Sequence, residues 1–243
     1  MNSINEKFEA LGEAGYVILR NLCGTESLKQ LDSAFSDTVL AESDHTRKKK
    51  ADPYAMRNIL RQSEVVAAIR SIEVLRQRVQ EHLGECIAVR GIYFDKPFRA
   101  NWSVPWHQDL TIAVENRVET QGFKCWTNKA GVFHVEPPVK ILEAMVTARI
   151  HLDDADEGNG ALCIIAKSHR QGHIPVAEVR EIVRRENVIR CDVKRGDIML
   201  MKPLLLHSSR SSETNRRRRV VHIEFSATNL PSPLQWQDRV ILS

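Results

Sequence analysis

Two short segments of this chain carry the residue types of a metal-binding site. His107 and Asp109 stand two positions apart in Trp106-His-Gln-Asp109, and His207 follows much later, at the end of an apolar run. Two imidazoles and one carboxylate are the ligand set of a facial non-haem Fe(II) site, which leaves coordination positions open for other molecules. The spacing therefore predicts a candidate iron site built from residues that are distant in the chain.

An arginine follows the second histidine at a spacing that suits binding of a carboxylate beside the metal site. Arg218 comes eleven positions after His207, on the returning arm of a predicted hairpin with a long loop. An arginine fork binds a carboxylate through two parallel hydrogen bonds, which lysine cannot do. Strand alternation leaves open which arginine of the run Arg216–Arg219 faces inward. The set indicates an iron site with an arginine for the far carboxylate of a 2-oxo acid.

A His-x-acid pair alone is weak support for a metal site, because the chain contains further pairs: His134/Glu136, His151/Asp153 and His222/Glu224. Any of them could chelate if extended, since residues i and i+2 of a strand share a face. His107 and Asp109 are favoured because irregular chain follows them, which suits the mouth of a pocket. Asp153 instead opens an acidic turn. No arginine follows His222 at a comparable spacing, so His207 is the better third ligand, with a surface histidine as its alternative interpretation.

Bulk composition narrows the class of protein. The 243 residues are 42% hydrophobic and 27% charged, as in an ordinary globular domain. No apolar run approaches the roughly 18–20 residues that span a bilayer, and the first residues lack a signal peptide, so we expect a cytoplasmic protein without a membrane partner. Five scattered cysteines form no C-x-x-C pair. The basic runs 47–50 and 216–219 lack interleaved aromatics, which makes nucleic acid an unfavoured partner.

The order of the predicted elements indicates a single domain over residues 1–243. A helical N-terminal part, about residues 1–86, is predicted to contain helices over 5–14, from Thr25 and over 60–83, with a loop over 41–53. A β-rich core, about residues 87–228, follows, with long irregular stretches that include 110–143. This order predicts a β-sandwich or barrel flanked by helices. The predicted strands are Ile87–Phe94, Ala144–Leu152, Ala161–Ile165, Val188–Val193, Asp197–Leu206 and Val220–Ala227.

An ordered set of motifs resembles one known family. From about Phe8 to Thr228, the chain is similar to the phytanoyl-CoA dioxygenase family of Fe(II)/2-oxoglutarate oxygenases. The motifs are Gly15-Tyr-Val-Ile-Leu-Arg20, Trp106-His-Gln-Asp109, Leu152-Asp-Asp154, Gly158-Asn-Gly-Ala-Leu162, Lys167-Ser-His-Arg170, and Gly196-Asp-Ile-Met-Leu200 continuing through His207 to Arg218. One departure lies in a turn: the family pattern Pro-Gly-Ser-His reads Ala166-Lys-Ser-His169 here.

The resemblance implies a mainly β fold with flanking α-helices, in which the core is a double-stranded β-helix related to jelly rolls and cupins. It implies that Fe(II) binds to His107, Asp109 and His207, with 2-oxoglutarate and O2 as cosubstrates. It selects Arg218 from its run for the cosubstrate carboxylate, adds Ser209 to that role and places Gln108 near the cosubstrate.

The same resemblance implies an oxidoreductase. Halogenating relatives lose the carboxylate ligand, whereas Asp109 is present, so we expect hydroxylation of a small molecule with release of succinate and CO2. The alternatives are a non-catalytic metal- or ligand-binding barrel that acts as a sensor and, with the same chemistry, a nucleic-acid demethylase.

Substrate contacts are expected in the segment 110–138. It carries Lys124, Trp126 and His134, and its cationic side chains suit an anionic group on the substrate. A surface lid with ordinary charges is the alternative for this segment. Neither the substrate's identity nor the oligomeric state follows from the sequence.

Overall fold

Two antiparallel sheets form the body of the protein. The structure is a computed structural model that describes residues 10–36, 46–49, 52–96, 102–129 and 131–242. Its strands are β1 (Tyr16–Leu19), β2 (Thr46–Lys49), β3 (Asp52–Arg57), β4 (Ile87–Asp95), β5 (Val104–His107), β6 (Ile112–Val114), β7 (Lys124–Lys129), β8 (Val132–Glu136), β9 (Met145–His151), β10 (Leu162–Ile165), β11 (Val188–Cys191), β12 (Ile198–Met201), β13 (His207–Ser209) and β14 (Arg219–Ser226).

The strand order is that of a double-stranded β-helix. A seven-stranded sheet has the order β1-β12-β9-β14-β4-β3-β2, and a four-stranded sheet has the order β11-β10-β13-β5. The two sheets enclose a cavity lined by residues of β4, β9 and β14 on one side and of β5, β10 and β13 on the other. The predicted fold class is therefore confirmed.

Helices cover the outer face of the larger sheet. They are α1 (Thr25–Ala34), α2 (Ser63–Arg70) and α3 (Glu73–Leu83), together with residues 10–14, which are also helical. Helix α4 (Val139–Glu143) instead packs in an apolar cluster with residues of β6 and β8, and α5 (Val176–Arg185) packs against β5 of the smaller sheet. In α3, Leu75 and Val79 are buried one helical turn apart, and this apolar face joins the main core cluster with strand residues such as Ile150 and Ile223. Each Å² of apolar surface that these helices bury against the sheet contributes about 25 cal/mol of stabilising free energy.

Strand β14 is buried on both faces. Val221, Ile223 and Phe225 belong to the core cluster beneath the helices. The alternate residues Val220, His222 and Glu224 are also buried, and His222 lines the enclosed cavity. The interior face, which the pattern alone left open, is therefore the face that carries polar side chains.

Several local predictions are corrected. The polar segment predicted as a loop over 41–53 contains β2 and the start of β3, while residues 41–45, 50 and 51 lie outside the described residues. The stretch expected to be irregular contains a third sheet, of order β6-β8-β7, and helix α4. The helix expected over 60–83 is broken at residues 71 and 72. Of the helix expected over 5–14, residues 10–14 are helical, and the rest lies outside the described residues.

The N-terminal part is not purely helical. Strand β1 pairs with β12, and β3 pairs with β4, so both strands belong to the seven-stranded sheet. Among the described residues, no helix has both the length and the apolar character needed to cross a membrane. The turn after β10 holds Lys167 at φ +66°, a left-handed conformation at the position where the family pattern has glycine.

Candidate metal centre

Three side chains converge at one end of the smaller sheet. His107 on β5 and His207 on β13 are cross-strand partners, and their ring centroids are 4.2 Å apart. Asp109 follows β5, and its two carboxylate oxygens lie 3.9 Å from Nε2 of His107 and 3.9 Å from Nε2 of His207. All three potential ligand atoms lie within 4.8 Å of one another, which is close enough for one ion to reach them all.

The two imidazole rings are oriented by the same device. Nδ1 of His107 hydrogen-bonds the carbonyl of Pro105 at 2.8 Å, and Nδ1 of His207 hydrogen-bonds the carbonyl of Leu205 at 2.8 Å. A carbonyl accepts only, so each Nδ1 carries the proton and each Nε2 keeps its lone pair. Burial, the largest effect, lowers the pKa of His207 to about 4, so this ring is neutral at physiological pH. Both rings therefore present a metal-ready nitrogen.

Asp109 is prepared for a cation. Its backbone N–H donates to the carbonyl of Pro203 at 2.9 Å, while Oδ2 is buried without a hydrogen-bond partner. Burial alone would raise the pKa of this carboxyl, but the electrostatic effect of the neighbouring His207, His222, His107 and Arg90 side chains outweighs it and lowers the pKa to about 2. An ionised, unpartnered oxygen beside two free imidazole nitrogens fits Fe(II) as a two-histidine, one-carboxylate site.

The other His-x-acid pairs are engaged elsewhere. Asp153 pairs with Arg219 at 2.7 Å, and Glu136 pairs with Lys124 at 3.1 Å. His222 Nε2 lies 3.4 Å from the carboxylate of Glu224. Within the described ranges, His107, Asp109 and His207 are the one group of three or more such side chains able to share an ion.

A cavity of about 210 Å³ opens onto this group and contains Arg218 and Ser209 as well. Nη2 of Arg218 donates to the Ser209 hydroxyl at 3.2 Å, and its Nε is buried without a partner. Burial is the largest cause that lowers the pKa of Arg218, to about 9. The structure thus brings the predicted arginine and serine together in the cavity of the candidate metal site.

The neighbours of Arg218 point elsewhere and are matched by carboxylates. Arg216 makes hydrogen bonds of 2.8 and 2.6 Å to Asp156, Arg217 pairs with Asp95, and Arg219 makes hydrogen bonds of 2.8 and 2.7 Å to Asp153. These pairs hold the start of β14 in one register. Arg218 is left facing the cavity without an acidic partner among the described residues.

The side-chain amide of Gln108 bonds to backbone groups on both of its polar atoms. Its amide nitrogen donates to the carbonyls of Gly172 at 2.8 Å and Leu204 at 2.6 Å, and its oxygen accepts from the Ile174 N–H at 2.8 Å. These bonds fix the chain between His107 and Asp109, and the position of Gln108 near the cosubstrate stays a prediction.

The three expected substrate contacts lie on the sheet β6-β8-β7. None of Lys124, Trp126 or His134 lines the metal cavity. Lys124 is exposed, Trp126 packs on a second apolar cluster, and His134 is buried with Nδ1 3.1 Å from the Val132 carbonyl. Their role in substrate binding stays a prediction.

Two buried cations near the site were missed by sequence reasoning. Arg149 on β9 lines the cavity, and Lys96 after β4 donates to the Ser209 hydroxyl at 3.0 Å. The sequence signal for Arg149 is a charged residue within a predicted strand, and the structure shows that all seven residues of this strand, Met145–His151, are buried. For Lys96, whose exposure is 1%, we find no sequence signal beyond its place at the end of a strand.

Known proteins of this fold share the whole architecture. AviO1 from Streptomyces viridochromogenes Tue57 is 20% identical, with 95% of this chain and 98% of that chain covered and a TM-score of 0.67. EctD from S. alaskensis with bound Fe is 19% identical, with coverage of 95% and 79% and a TM-score of 0.72. SnoK, a non-heme alpha ketoglutarate dependent carbocyclase from nogalamycin biosynthesis, is 13% identical, with coverage of 93% and 84% and a TM-score of 0.69.

Sequence comparison assigns the family. No curated protein matches the chain in sequence. The family model of phytanoyl-CoA dioxygenase, however, matches residues 11–220, which is most of the chain and includes every candidate site residue named above. The chain therefore belongs to the phytanoyl-CoA dioxygenase family, a group of iron- and 2-oxoglutarate-dependent oxygenases.

Proposed function

We propose that this oxygenase hydroxylates a C–H bond of a small-molecule substrate. In the overall reaction, substrate, 2-oxoglutarate and O2 give hydroxylated substrate, succinate and CO2. The observation that carries the proposal is one cavity in which His107, Asp109 and His207 face Arg218 and Ser209. Fe(II) held by the first three residues would supply the redox chemistry with O2 and the cosubstrate.

Each side chain has a separate task in this proposal. The two Nε2 atoms and the Asp109 carboxylate would hold Fe(II), and three protein ligands would leave room for the cosubstrate and O2. Arg218 binds the far carboxylate of 2-oxoglutarate, and Ser209 adds a hydroxyl beside it. The buried walls around them exclude water from the reacting atoms.

Retention of Asp109 supports hydroxylation as the outcome. Two structural neighbours, a carbocyclase and an epimerase, have other reaction outcomes on the same fold. Product mass distinguishes them: hydroxylation adds one oxygen atom, ring closure removes two hydrogen atoms, and epimerisation leaves the mass unchanged. A structural neighbour crystallised with 2-oxoglutarate and 5-hydroxyectoine supports a small hydroxylated product.

An anaerobic titration of 2-oxoglutarate into the Fe(II)-loaded protein tests the cosubstrate site. We expect a visible charge-transfer band, and we expect Arg218→Ala to need roughly ten- to a hundredfold more cosubstrate, because a charge-assisted pair is lost. Arg216→Ala is the matched control, since Arg216 is exposed and pairs with Asp156. No band in folded, iron-loaded wild type would overturn the oxygenase assignment.

Succinate release separates catalysis from sensing. A sensor-like barrel would bind iron and 2-oxoglutarate, yet would form no succinate with any candidate substrate under air. An oxygenase forms succinate in proportion to product once the right substrate is present. A screen that follows succinate therefore finds the substrate and tests the alternative together.

A further inference from the structure

A second guanidinium, that of Arg149, lies in the same cavity as Arg218. Arg149 is on β9, directly opposite His222 of β14 in the strand register. It lines the cavity together with His107, Asp109 and His207. This inference rests on the proposed function, because it concerns how the same cavity holds its cosubstrate.

The guanidinium of Arg149 is buried and only partly used. The residue is 7% exposed, its Nη1 lies 3.2 Å from Nδ1 of His222, and its Nε has no hydrogen-bond partner. A buried guanidinium offers five donors, and leaving them unpaired costs free energy. An anion that enters the cavity would satisfy them.

Nearby carboxylates do not neutralise Arg149. Glu224, the acid closest to His222, is paired with Arg90 at 3.0 Å. Asp109 is the carboxylate of the candidate metal site and belongs to the ion. Among the described residues, no carboxylate forms an ion pair with Arg149, whereas Arg216, Arg217 and Arg219 each have one.

The two unmatched guanidiniums occupy different levels of the cavity. Arg149 is level with His222, and Arg218 lies four residues from His222 along β14. At about 3.3 Å per residue this is roughly 13 Å of strand, and both side chains line the same cavity. Burial lowers the pKa of Arg149 and the nearby Asp109 carboxylate opposes this effect, whereas burial and Arg149 are the causes that act on the pKa of Arg218. Arg149 is therefore the cation nearer the metal group, and Arg218 is the distal one. Such spacing suits a ligand with a carboxylate at each end.

We propose that Arg149 is a second carboxylate-binding residue, which holds the carboxylate next to the oxo group at the metal while Arg218 and Ser209 hold the far one. Arg149 contacts His222, which also lines the cavity, and His222 in turn contacts Glu224 of the Glu224–Arg90 pair. The cavity would therefore select a dicarboxylic 2-oxo acid by charge at both ends.

Binding measurements with two ligands test this assignment. Calorimetry on the anaerobic, Fe(II)-loaded protein would compare 2-oxoglutarate with pyruvate, which has the 2-oxo carboxylate but no far carboxylate. We expect Arg149→Gln to weaken both ligands by about ten- to a hundredfold. We expect Arg218→Gln to weaken 2-oxoglutarate alone, toward the affinity of pyruvate.

The outcomes are distinguishable. If wild type binds 2-oxoglutarate and Arg149→Gln binds both ligands within about twofold of wild type, the role of Arg149 is wrong while the proposed function stands. If wild type binds neither ligand, the proposed function itself fails. If Arg149→Gln weakens 2-oxoglutarate but not pyruvate, Arg149 acts at the far carboxylate and the assignment to the metal end is overturned.

Melting temperatures distinguish a loss of ligand binding in an Arg149 variant from a loss of fold stability. Because Arg149 has no acidic partner, Arg149→Met should leave the melting temperature of the ligand-free protein unchanged or higher. The rise in melting temperature on adding 2-oxoglutarate should be smaller in Arg149→Met than in wild type. A variant that melts lower without ligand, yet gains the full rise with it, would show that Arg149 supports the fold instead.

Discussion

Lys96 has the most unusual environment of the cationic side chains around the cavity. It is 1% exposed, and its ammonium donates to the Ser209 hydroxyl and to the Arg210 carbonyl, with the ring of Trp102 5.3 Å away. Burial and then the charge of Arg218 lower the pKa of Lys96 to about 7. The lysine therefore fixes the hydroxyl that faces Arg218 and carries a proton that it can lose near neutral pH.

This lowered pKa predicts a rise in stability with pH. Above about pH 7 the folded protein releases the Lys96 proton, while the unfolded chain keeps it until its ordinary value of 10.5. The unfolded state then binds more protons, so the free energy of unfolding increases with pH, by up to about 1.4 kcal/mol per pH unit. Lys96→Met should lack this contribution.

Urea unfolding of wild type and Lys96→Met between about pH 6 and pH 9 measures the difference. Subtracting the two curves removes the contribution of Lys202, whose pKa is lowered to about 8, chiefly by burial. Parallel curves across this range would contradict the assignment of a depressed pKa to Lys96.

The turn after β10 is an element whose backbone suits a different residue. Lys167 adopts φ +66°, and its N–H donates to the Ala14 carbonyl at 2.8 Å. The next residue, Ser168, donates to the Ile165 carbonyl at 2.7 Å and accepts from the Leu206 N–H at 2.8 Å. The turn thus joins the N-terminal segment to the strand end that precedes His207.

Glycine at position 167 should stabilise the protein. The left-handed conformation costs an L-residue about 1–2 kcal/mol, and glycine recovers this less its greater loss of backbone entropy, which leaves about 0.5–1 kcal/mol. Lys167→Gly should therefore raise the free energy of unfolding in chemical denaturation. Lys167→Ala keeps the Cβ and is the matched control, and an equal rise in both variants would point to the lysine charge instead.

The elements that could be predicted are those with a regular apolar pattern. Strands β4, β9 and β14 lie within one or two residues of their predicted ranges, because their side chains are buried on both faces. Strand β7 could not be found, since most of its side chains are exposed and polar. Helix α5 was missed although Val179, Ile182 and Val183 mark its apolar side, because charged residues surround them.

The candidate site divides in the same way. His107, Asp109 and His207 could be predicted as metal ligands because their residue types and their order in the chain are specific. The direction of the Gln108 amide and the inward position of Arg149 depend on packing across the barrel, which residue types do not encode. Neither feature could be predicted before the neighbouring strands had been positioned.

At the scale of the whole molecule, the candidate metal site joins an edge strand to the barrel. Strand β5 is the last strand of the four-stranded sheet and pairs there with β13 alone. An ion held by His107, Asp109 and His207 would add a further link between these two strands. Metal binding and the local stability of β5 are therefore coupled.

Hydrogen exchange on the metal-loaded and chelated protein measures this coupling. We expect amides of β5 to exchange at least several-fold more slowly with Fe(II) or Mn(II) bound, and Asp109→Ala to abolish the difference. The opposite edge strand, β11, holds none of the three ligands and should exchange equally in both states. Equal slowing of both edges would indicate a global effect instead of a local link.

Because the run Arg216–Arg219 consists of four identical residues, more than one strand register would place an arginine in the cavity. A slip of one residue would turn the wrong face inward, but a slip of two would still present an arginine, Arg216, where Arg218 now lies. Identical side chains cannot tell these registers apart. The distinction comes from Asp95 at the end of β4 and from Asp153 and Asp156 in the turn after β9, because each aspartate pairs with a different arginine of the run. Which arginine faces the cavity is therefore decided by three aspartates that do not themselves line the cavity.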